Sequence, residues 1–305
     1  MTENINQHAQ TAIKKKRIDL GKTVFLISML GMAVINFFIF YLGVNFDSIL
    51  LAFRLPNGEF TMDNFKWAFQ DFVAPDSLML EALRNSLIFF FVIQIFMKFV
   101  HLCLSYFIYK KILGYKFFRV LFYVPTIIST VVIATLFKTM IGPNGPVTEF
   151  LGLFMEEVPE FYADSRYALG TLLVYECWAT FGTGTIMIMG AMARIPSETL
   201  EAAQLDGCSP LRELFSLILP MIWPTLSTLL IMGFAGIFTS SGAQLLFTNG
   251  DYGTMTISFY IFDQVNRYQA YNQASAVGLI YTVVGTPLVL GGKLLLERIQ
   301  DDVQY

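Results

Sequence analysis

The sequence predicts an all-α, polytopic membrane protein with six transmembrane helices. Of its 305 residues, 55% are hydrophobic, only 14% are charged, and 30 are phenylalanine. Soluble domains carry charges at about a quarter of their positions. Apolar runs long enough to cross a bilayer recur along the chain, and they are the third observation behind this fold class.

Six apolar runs supply the predicted spans. A hydrocarbon core about 30 Å thick needs about 20 mostly apolar residues in a helix. The predicted spans cover approximately 23–42, 84–108, 119–140, 168–192, 217–239 and 273–295. The segments after the first, third and fifth spans contain turn-forming residues, and short helices are expected in them.

The first span resembles a signal peptide because it follows the basic run Lys14–Arg17. Its apolar run is longer than the roughly 7–15 residues of a signal peptide, and no small-residue cleavage site follows Tyr41 promptly. We therefore expect this helix to be retained. The predicted organisation is a tail at 1–22, a single membrane domain at 23–296 and a second tail at 297–305.

Basic residues are concentrated on one side of the predicted spans. They occur at 14–17 and 22, 110–119, 194 and 212, and 293 and 298. The loops on the other side are rich in acids, including Glu156, Glu157 and Glu160. Because lysine and arginine mark the cytoplasmic side, we expect both termini in the cytoplasm, together with the segment between the fourth and fifth spans.

Sequence patterns for several kinds of site are absent. Gly21-Lys22-Thr23 lacks the glycine that a phosphate-binding loop requires at position 16. His101 and Cys103 point to different faces of a helix, and the three cysteines are widely spaced. No basic patch interleaved with aromatic residues indicates nucleic-acid binding. We expect no metal, cofactor or nucleic acid on this chain.

The polar segment 194–216 is predicted to form a short helix, a tight turn and a second helix. Ser197 is expected to cap the first helix, and Gly207 is expected to end it in the left-handed conformation. Pro210 suits the first turn of the second helix. That helix would present one apolar face, made of Leu211, Leu214, Phe215 and Ile218.

The same segment resembles the cytoplasmic signature of binding-protein-dependent ABC importer permeases. The matching positions are Glu201, Ala202, Ala203, Asp206, Gly207, Leu217, Leu219 and Pro220. Cys208, Leu214 and Leu217 stand where the signature often has Ala, Phe and Ile, which are small changes in size and polarity.

Flanking sequence, over roughly residues 80–300, resembles the carbohydrate-uptake branch of these permeases. That resemblance rests on Tyr123-Val124-Pro125, on Trp178 with Gly182, on Ile195-Pro196, and on the run from Asn249-Gly250 through Thr254 and Tyr260 to Ala274-Ser275-Ala276.

The resemblance implies a type I ABC importer permease architecture in a bacterial plasma (inner) membrane. Residues 197–216 would dock on an ATP-binding subunit, which would bind ATP and Mg in place of this chain. The other implied partners are a second permease, favoured to be a different chain, an extracellular solute-binding protein and membrane lipid. The solute would be a saccharide or polyol-like compound. The implied coupling residues are Glu201, Ala202, Ala203, Asp206, Gly207 and Pro220.

Polar residues inside the spans are candidates for the solute pathway, because burying them in a bilayer is costly. Lys98 and Glu176 are ionisable, and the predicted spans place them about 10 Å apart in depth, which does not suit a direct ion pair. The other candidates are Tyr175 and Trp178, whose rings suit a sugar face, and the amides Gln94 and Gln244. Each of the six also has a structural interpretation as a helix-packing contact.

Two other functions remain as alternatives. A stand-alone secondary carrier or channel predicts paired repeats with broken helices, and a membrane-embedded enzyme predicts converging polar residues near one interface. Neither pattern is found in the sequence. The importer permease is therefore the favoured interpretation.

Overall fold

The computed structural model describes residues 20–238 and 242–299. Within these residues the chain is helical, and the one strand-like pairing is an isolated bridge between Arg54 and Phe60. The predicted all-α class is confirmed. The basic run Lys14–Arg17 lies outside the described residues, as do 239–241 and the tail 300–305.

The helices are numbered in chain order, with three π-helical segments between them. They are α1 (Leu20–Asn36), π1 (Phe37–Gly43), α2 (Val44–Ala52), α3 (Asp63–Val73), α4 (Leu78–Phe89), π2 (Phe90–Phe96), α5 (Met97–Tyr109), α6 (Tyr115–Ile127), α7 (Thr130–Ile141), α8 (Pro146–Gly152), α9 (Ala168–Met192), α10 (Ser197–Leu205), α11 (Pro210–Arg212), π3 (Glu213–Ile218), α12 (Leu219–Gly236), α13 (Gly242–Phe247), α14 (Ile257–Asn266) and α15 (Tyr271–Ile299).

The described residues form two compact units, which divide between Leu51 and Ala52. In the first unit the described chain is helical throughout, and its apolar side chains are exposed, as at Met32 (82%) and Phe38 (60%). The run Ile27–Ala52, which ends at the unit boundary, is long and apolar enough to cross a membrane. The predicted first span is therefore helical and continues about ten residues beyond position 42.

Four further helices in the second unit are long and apolar enough to cross a membrane. We call them span two (Leu78–Tyr109), span four (Ala168–Met192), span five (Pro210–Gly236) and span six (Tyr271–Ile299). Each contains or closely matches the corresponding predicted run. Gly182 of span four lies against the α6 backbone, since a Cβ there would be 2.6 Å from the Phe122 carbonyl oxygen.

The predicted third span, 119–140, is not one continuous helix in the structure. Helix α6 ends at Ile127, and the chain bends by 110° into the helices that begin at Thr130. Ile128 and Ser129 are extended at the bend. The described chain thus has five candidate spans, or six if this bent pair counts as one. Hydropathy could not reveal the break, because the helices on both sides of it are apolar.

Short helices occupy the segments between spans, as the turn-forming residues predicted. Helix α14 packs with α3 and span six in an apolar cluster that includes Ala68, Phe259 and Val277. Asn85 of span two anchors the loop that precedes α14. It donates hydrogen bonds to the carbonyls of Gly253 and Met255, at 2.9 and 2.8 Å. This loop is thereby fixed to the start of span two.

Candidate functional site

The segment with the ABC permease signature forms the predicted helix, turn and helix. Helix α10 ends in a Schellman motif, in which the amides of Gly207 and Cys208 donate to the carbonyls of Gln204 and Ala203, both at 3.0 Å. Gly207 has the left-handed φ of +70° that this motif needs. The predicted role of Gly207 at the end of the helix is confirmed.

The predicted cap at the start of α10 is wrong. Pro196 occupies the N-cap position, and Ser197 is the first helical residue. Proline presets its own φ near the observed −59°, and its ψ of 134° leads the chain into the helix without any side-chain hydrogen bond. Ser209 does take the N-cap position of the second helix, followed by Pro210, as expected.

The predicted apolar face of the second helix is only half buried. Leu214 and Ile218 are 2% and 0% exposed, whereas Leu211 is 68% and Phe215 is 40% exposed. The difference arises in π3, because a wider turn rotates side chains away from the α-helical pattern. The buried face instead continues along span five through Ile222 and Leu226.

The coupling residues lie mainly at the surface of the second unit. Glu201, Ala202, Asp206 and Gly207 are exposed, Ala203 is half-buried, and Pro220 is half-buried in span five. Leu200 is buried in the cluster with Leu102, Ile188 and Ile218, so it anchors α10 to spans two, four and five. Leu200 thus holds one face of α10 against the spans, and the opposite face exposes polar and small side chains on the protein surface.

Two features of this region were not identified from the sequence. Leu205, at the end of α10, is 89% exposed, and its apolar side chain adds to the outward face. Glu213 is buried and forms an ion pair with Lys110 at the end of span two. No local pattern in the sequence indicates this pair, because its members lie 103 residues apart.

Gln94 and Glu176 are brought together by spans two and four. They line a cavity of about 50 Å³, together with Ser86, Gly236 and Ile237. The Gln94 amide also packs closely on span five, since a Cβ at Gly233 would lie 2.6 Å from its Oε1. Polar side chains from two spans therefore meet at one small cavity, whose lining also includes Phe89, Phe90 and Ile93.

Lys98 lies one helical turn after Gln94 on span two and is half-buried. It forms no ion pair with Glu176. The two charged candidates thus stay apart, as their predicted depths suggested. The sequence-based assignment of Lys98 to the solute pathway stays a prediction.

Tyr175, Trp178 and Gln244 are packing residues in this conformation. Tyr175 is 2% exposed and lies against Phe137 and Phe247, with ring centroids at 5.5 and 4.8 Å. Trp178 is half-buried and packs on the same Phe137 ring. Gln244 is fully buried, and neither of its amide atoms has a hydrogen-bond partner. None of the three lines the cavity of Gln94 and Glu176.

A larger cavity, of about 490 Å³, opens beside α7 and the turn that follows it. Lys138 lines it, with the ammonium 5.1 Å from the centre of the Tyr162 ring. Among the described residues, no group of three or more His, Cys, Asp or Glu side chains is placed to hold a metal ion.

Comparison with known families decides the identity of the fold. Residues 20–304 match the family described as the binding-protein-dependent transport system inner membrane component. The chain belongs to this family. The match includes the signature segment and all the candidate spans. The family predicted from the pattern Glu201 to Pro220 is therefore confirmed.

Named relatives agree with this assignment. The chain is 24% identical over 297 residues to the diacetylchitobiose uptake system permease protein NgcF of Streptomyces coelicolor, covering 89% of this chain and 82% of the relative. It is 27% identical over 177 residues to the probable ABC transporter permease protein YesP of Bacillus subtilis, covering 56% of this chain and 57% of that protein.

A solved structure shares the architecture. A chain of a bacterial ABC transporter involved in the import of the acidic polysaccharide alginate superimposes with a TM-score of 0.82 at 25% identity. The superposition covers 92% of this chain and 98% of the other. The fold is therefore that of an ABC importer permease, with several apolar helices suited to a membrane.

Proposed function

We propose that this chain is a permease subunit of an ATP-driven ABC importer and forms half of a translocation pathway for a saccharide or polyol-like solute. The observation that carries the proposal is the outward-facing helix and turn at 197–216, in a chain of the binding-protein-dependent transport family. ATP hydrolysis takes place on a separate subunit that docks on this segment.

The surface of α10 suits such docking. Ala202 is small and exposed, so a partner backbone can approach closely, and the exposed Leu205 offers an apolar contact beside it. Glu201 is exposed, and an ion pair there would contribute only about 0.2–1 kcal/mol. Its role is to set the register, while the apolar contacts supply most of the affinity. ATP and Mg belong to the partner.

The solute pathway is proposed to include the cavity of Gln94 and Glu176. Amide and carboxylate groups can hydrogen-bond to sugar hydroxyls, and buried polar groups inside a membrane mark transport paths. A saccharide is supported by the relatives, among them a diacetylchitobiose uptake permease and an alginate importer. A second permease, which we take to be a different chain, supplies the other half, and an extracellular binding protein delivers the solute.

The orientation is proposed from charge. Lys110, Arg194 and Arg212 lie on the side of the signature segment, which is therefore cytoplasmic, and both termini share that side. The acid-rich segment around Glu156 lies on the opposite side of the membrane.

Affinity purification tests the docking proposal. The tagged chain is extracted from its native membrane in mild detergent, and the co-purifying proteins are identified by mass spectrometry. We expect a P-loop ATPase and a second six-span permease with the unsubstituted chain. Gly207→Pro should release the ATPase, because proline cannot adopt the φ of +70° and has no amide to donate to Gln204.

Gly58→Pro is the matched control. Gly58 has a φ of +88° and donates its amide to Leu55, so the backbone change is equivalent, but it lies in the loop after the first span. This variant should keep the ATPase. If the chain purified alone, or kept the ATPase despite Gly207→Pro, the stand-alone carrier would become the better interpretation.

A further inference from the structure

The Lys110–Glu213 ion pair joins two membrane helices beside the signature segment. The Lys110 ammonium lies 2.8 and 3.0 Å from the two carboxylate oxygens of Glu213. Lys110 directly follows span two, and Glu213 is the fourth residue of span five. The side chain of Glu213 is only 3% exposed, and that of Lys110 is 27% exposed. The carboxylate is thus closed off from solvent, and the ammonium is half-buried.

Stability alone does not account for this arrangement. Desolvating two charges is costly, and replacing a buried ion pair by well-packed apolar residues is often neutral or stabilising. The surroundings would accept such residues, since Leu102, Tyr106, Leu214 and Ile218 form an apolar cluster here. What the pair adds is a directional contact, which holds one helix end at a fixed position on another.

The pair, like Leu200 in its cluster with Leu102, lies where movement of α10 would reach span two. Gly207 and Cys208 bond back to α10, and the Glu213 amide bonds to the Ser209 carbonyl at 2.8 Å. These bonds make 197–213 a continuous bracket that ends at Glu213. Glu213 is also the first residue of π3. Lys110 therefore contacts the bracket at its end.

Span two carries the polar side chains of the proposed pathway. Gln94 and Lys98 lie on it, about 24 and 18 Å from Lys110 at the rise of an α-helix. Along its length it packs on span four, where Ser105 donates a hydrogen bond to the Thr185 carbonyl at 3.2 Å. A shift at Lys110 would consequently move Gln94 relative to Glu176.

We propose that the Lys110–Glu213 pair positions span two against the signature segment and transmits displacement of α10 to the Gln94–Glu176 cavity. This inference rests on the proposed function, since it requires an ATP-binding subunit that moves α10. Lys110 and Glu213 are positioning residues and do not touch the solute. Span five is connected to α10 directly through the backbone and does not need the pair.

Cysteine labelling of the full complex tests whether span two depends on the ion pair while span five does not. The complex is purified with its ATP-binding subunits, and the native Cys103, Cys177 and Cys208 are changed to serine. One reporter is Gln94→Cys on span two, and the other is Ser227→Cys on span five. The rate of reaction with a small thiol reagent is measured without nucleotide and with a non-hydrolysable ATP analogue and Mg.

With the native pair, we expect the nucleotide to change the labelling rate about fivefold or more at both reporters, the lower end of common coupling strengths. Glu213→Gln keeps the size and polarity of the side chain but removes its charge. It should abolish the nucleotide effect at Gln94→Cys and leave the effect at Ser227→Cys. Lys110→Met should do the same, and the swap of Lys110→Glu with Glu213→Lys should restore the effect at Gln94→Cys.

The outcomes separate this inference from the proposed function. An unchanged nucleotide effect at Gln94→Cys in the Glu213→Gln and Lys110→Met complexes would overturn the inference alone, as would equal loss at both reporters. If no ATPase co-purifies, or if nucleotide affects neither reporter with the native pair, the proposed function fails. Should Glu213→Gln assemble poorly, Lys110→Met and the charge swap provide the same comparison.

Discussion

Two glycine turns, one before span five and one after it, use the same backbone conformation in opposite surroundings. Gly207 has a φ of +70° and open space where a Cβ would be, and the turn around it is exposed. Gly250 has a φ of +78°, but a Cβ there would lie 2.6 Å from the Phe259 ring. The first turn is left uncovered by its own chain, whereas the second is covered by it.

The polar contacts of the two regions differ in the same way. Near Gly250 the buried hydroxyls of Thr248 and Thr254 are 2.6 Å apart, and Asn85 binds two loop carbonyls. Near Gly207 the polar side chains face outward, and the main buried contact is the Lys110–Glu213 pair. Apart from the apolar packing of Leu200, the Gly207 region has this one charged anchor, and with fewer buried polar contacts we expect it to open more readily than the Gly250 region.

The largest expected effect comes from removing one member of that charged anchor. Lys110→Met leaves the carboxylate of Glu213 buried without a partner, which should lower the free energy of unfolding by about 3–4 kcal/mol. Adding Glu213→Leu to Lys110→Met should recover most of this loss, because the apolar cluster can accept leucine. Thermal unfolding in detergent measures both. Failure of the double variant to recover would mean that the pair is needed for stability itself.

The next effect is expected at the buried glycine. Gly250→Ala combines left-handed strain with a contact against Phe259 and Met255, and should lower the free energy of unfolding by about 2–3 kcal/mol. The same thermal measurement applies. An alanine tolerated without loss would show that this turn is looser than its packing indicates.

A pH-dependent effect is expected near the same turn. The Tyr260 hydroxyl donates to an Asp71 carboxylate oxygen at 3.0 Å, and burial, with the adjacent Asp71 charge, raises the pKa of Tyr260 above its usual value. As the pH rises, Tyr260 therefore ionises at a lower pH in the unfolded chain than in the folded protein. The contribution of Tyr260 to the free energy of unfolding is fully present below a pH of about 10, and it is lost progressively as the pH rises above that value.

Tyr260→Phe isolates this contribution. At neutral pH it should cost about 1.5 kcal/mol, the value for a hydrogen bond to a charged group. The variant should also lose less stability than the unsubstituted chain between pH 9 and 11, a range set by the ordinary tyrosine pKa of about 10. Parallel slopes for the two proteins would exclude Tyr260 as the titrating group.

The smallest effect is expected at the exposed glycine. Gly207→Ala should cost about 1 kcal/mol, because only the left-handed backbone is strained and no neighbour is displaced. Comparing it with Gly250→Ala measures the contribution of packing directly, since both substitutions add the same methyl group to the same conformation. Equal losses at the two positions would contradict the contrast drawn between the turns.

Local features of the sequence predicted much of this molecule. Five of the six predicted spans recur as long helices, the first of them extended to Ala52, and Gly207 ends its helix as its sequence context indicated. The break at Ile128 and Ser129 was missed, since the helices on both sides of it are apolar. Ser197 was misplaced by one residue, because proline preceded it at the cap.

The candidate site also has parts that the sequence predicted and parts that it did not. The exposed signature residues could be identified from the chain alone, because their pattern is contiguous from Glu201 to Pro220. The burial of Tyr175 and Gln244, the cavity between Gln94 and Glu176, and the Lys110–Glu213 pair could not. These depend on how distant helices are rotated and set in depth against each other. Sequence by itself determined the apolar spans and the local turn, since period and backbone preference act within a few residues. Only tertiary packing decided which polar side chains meet.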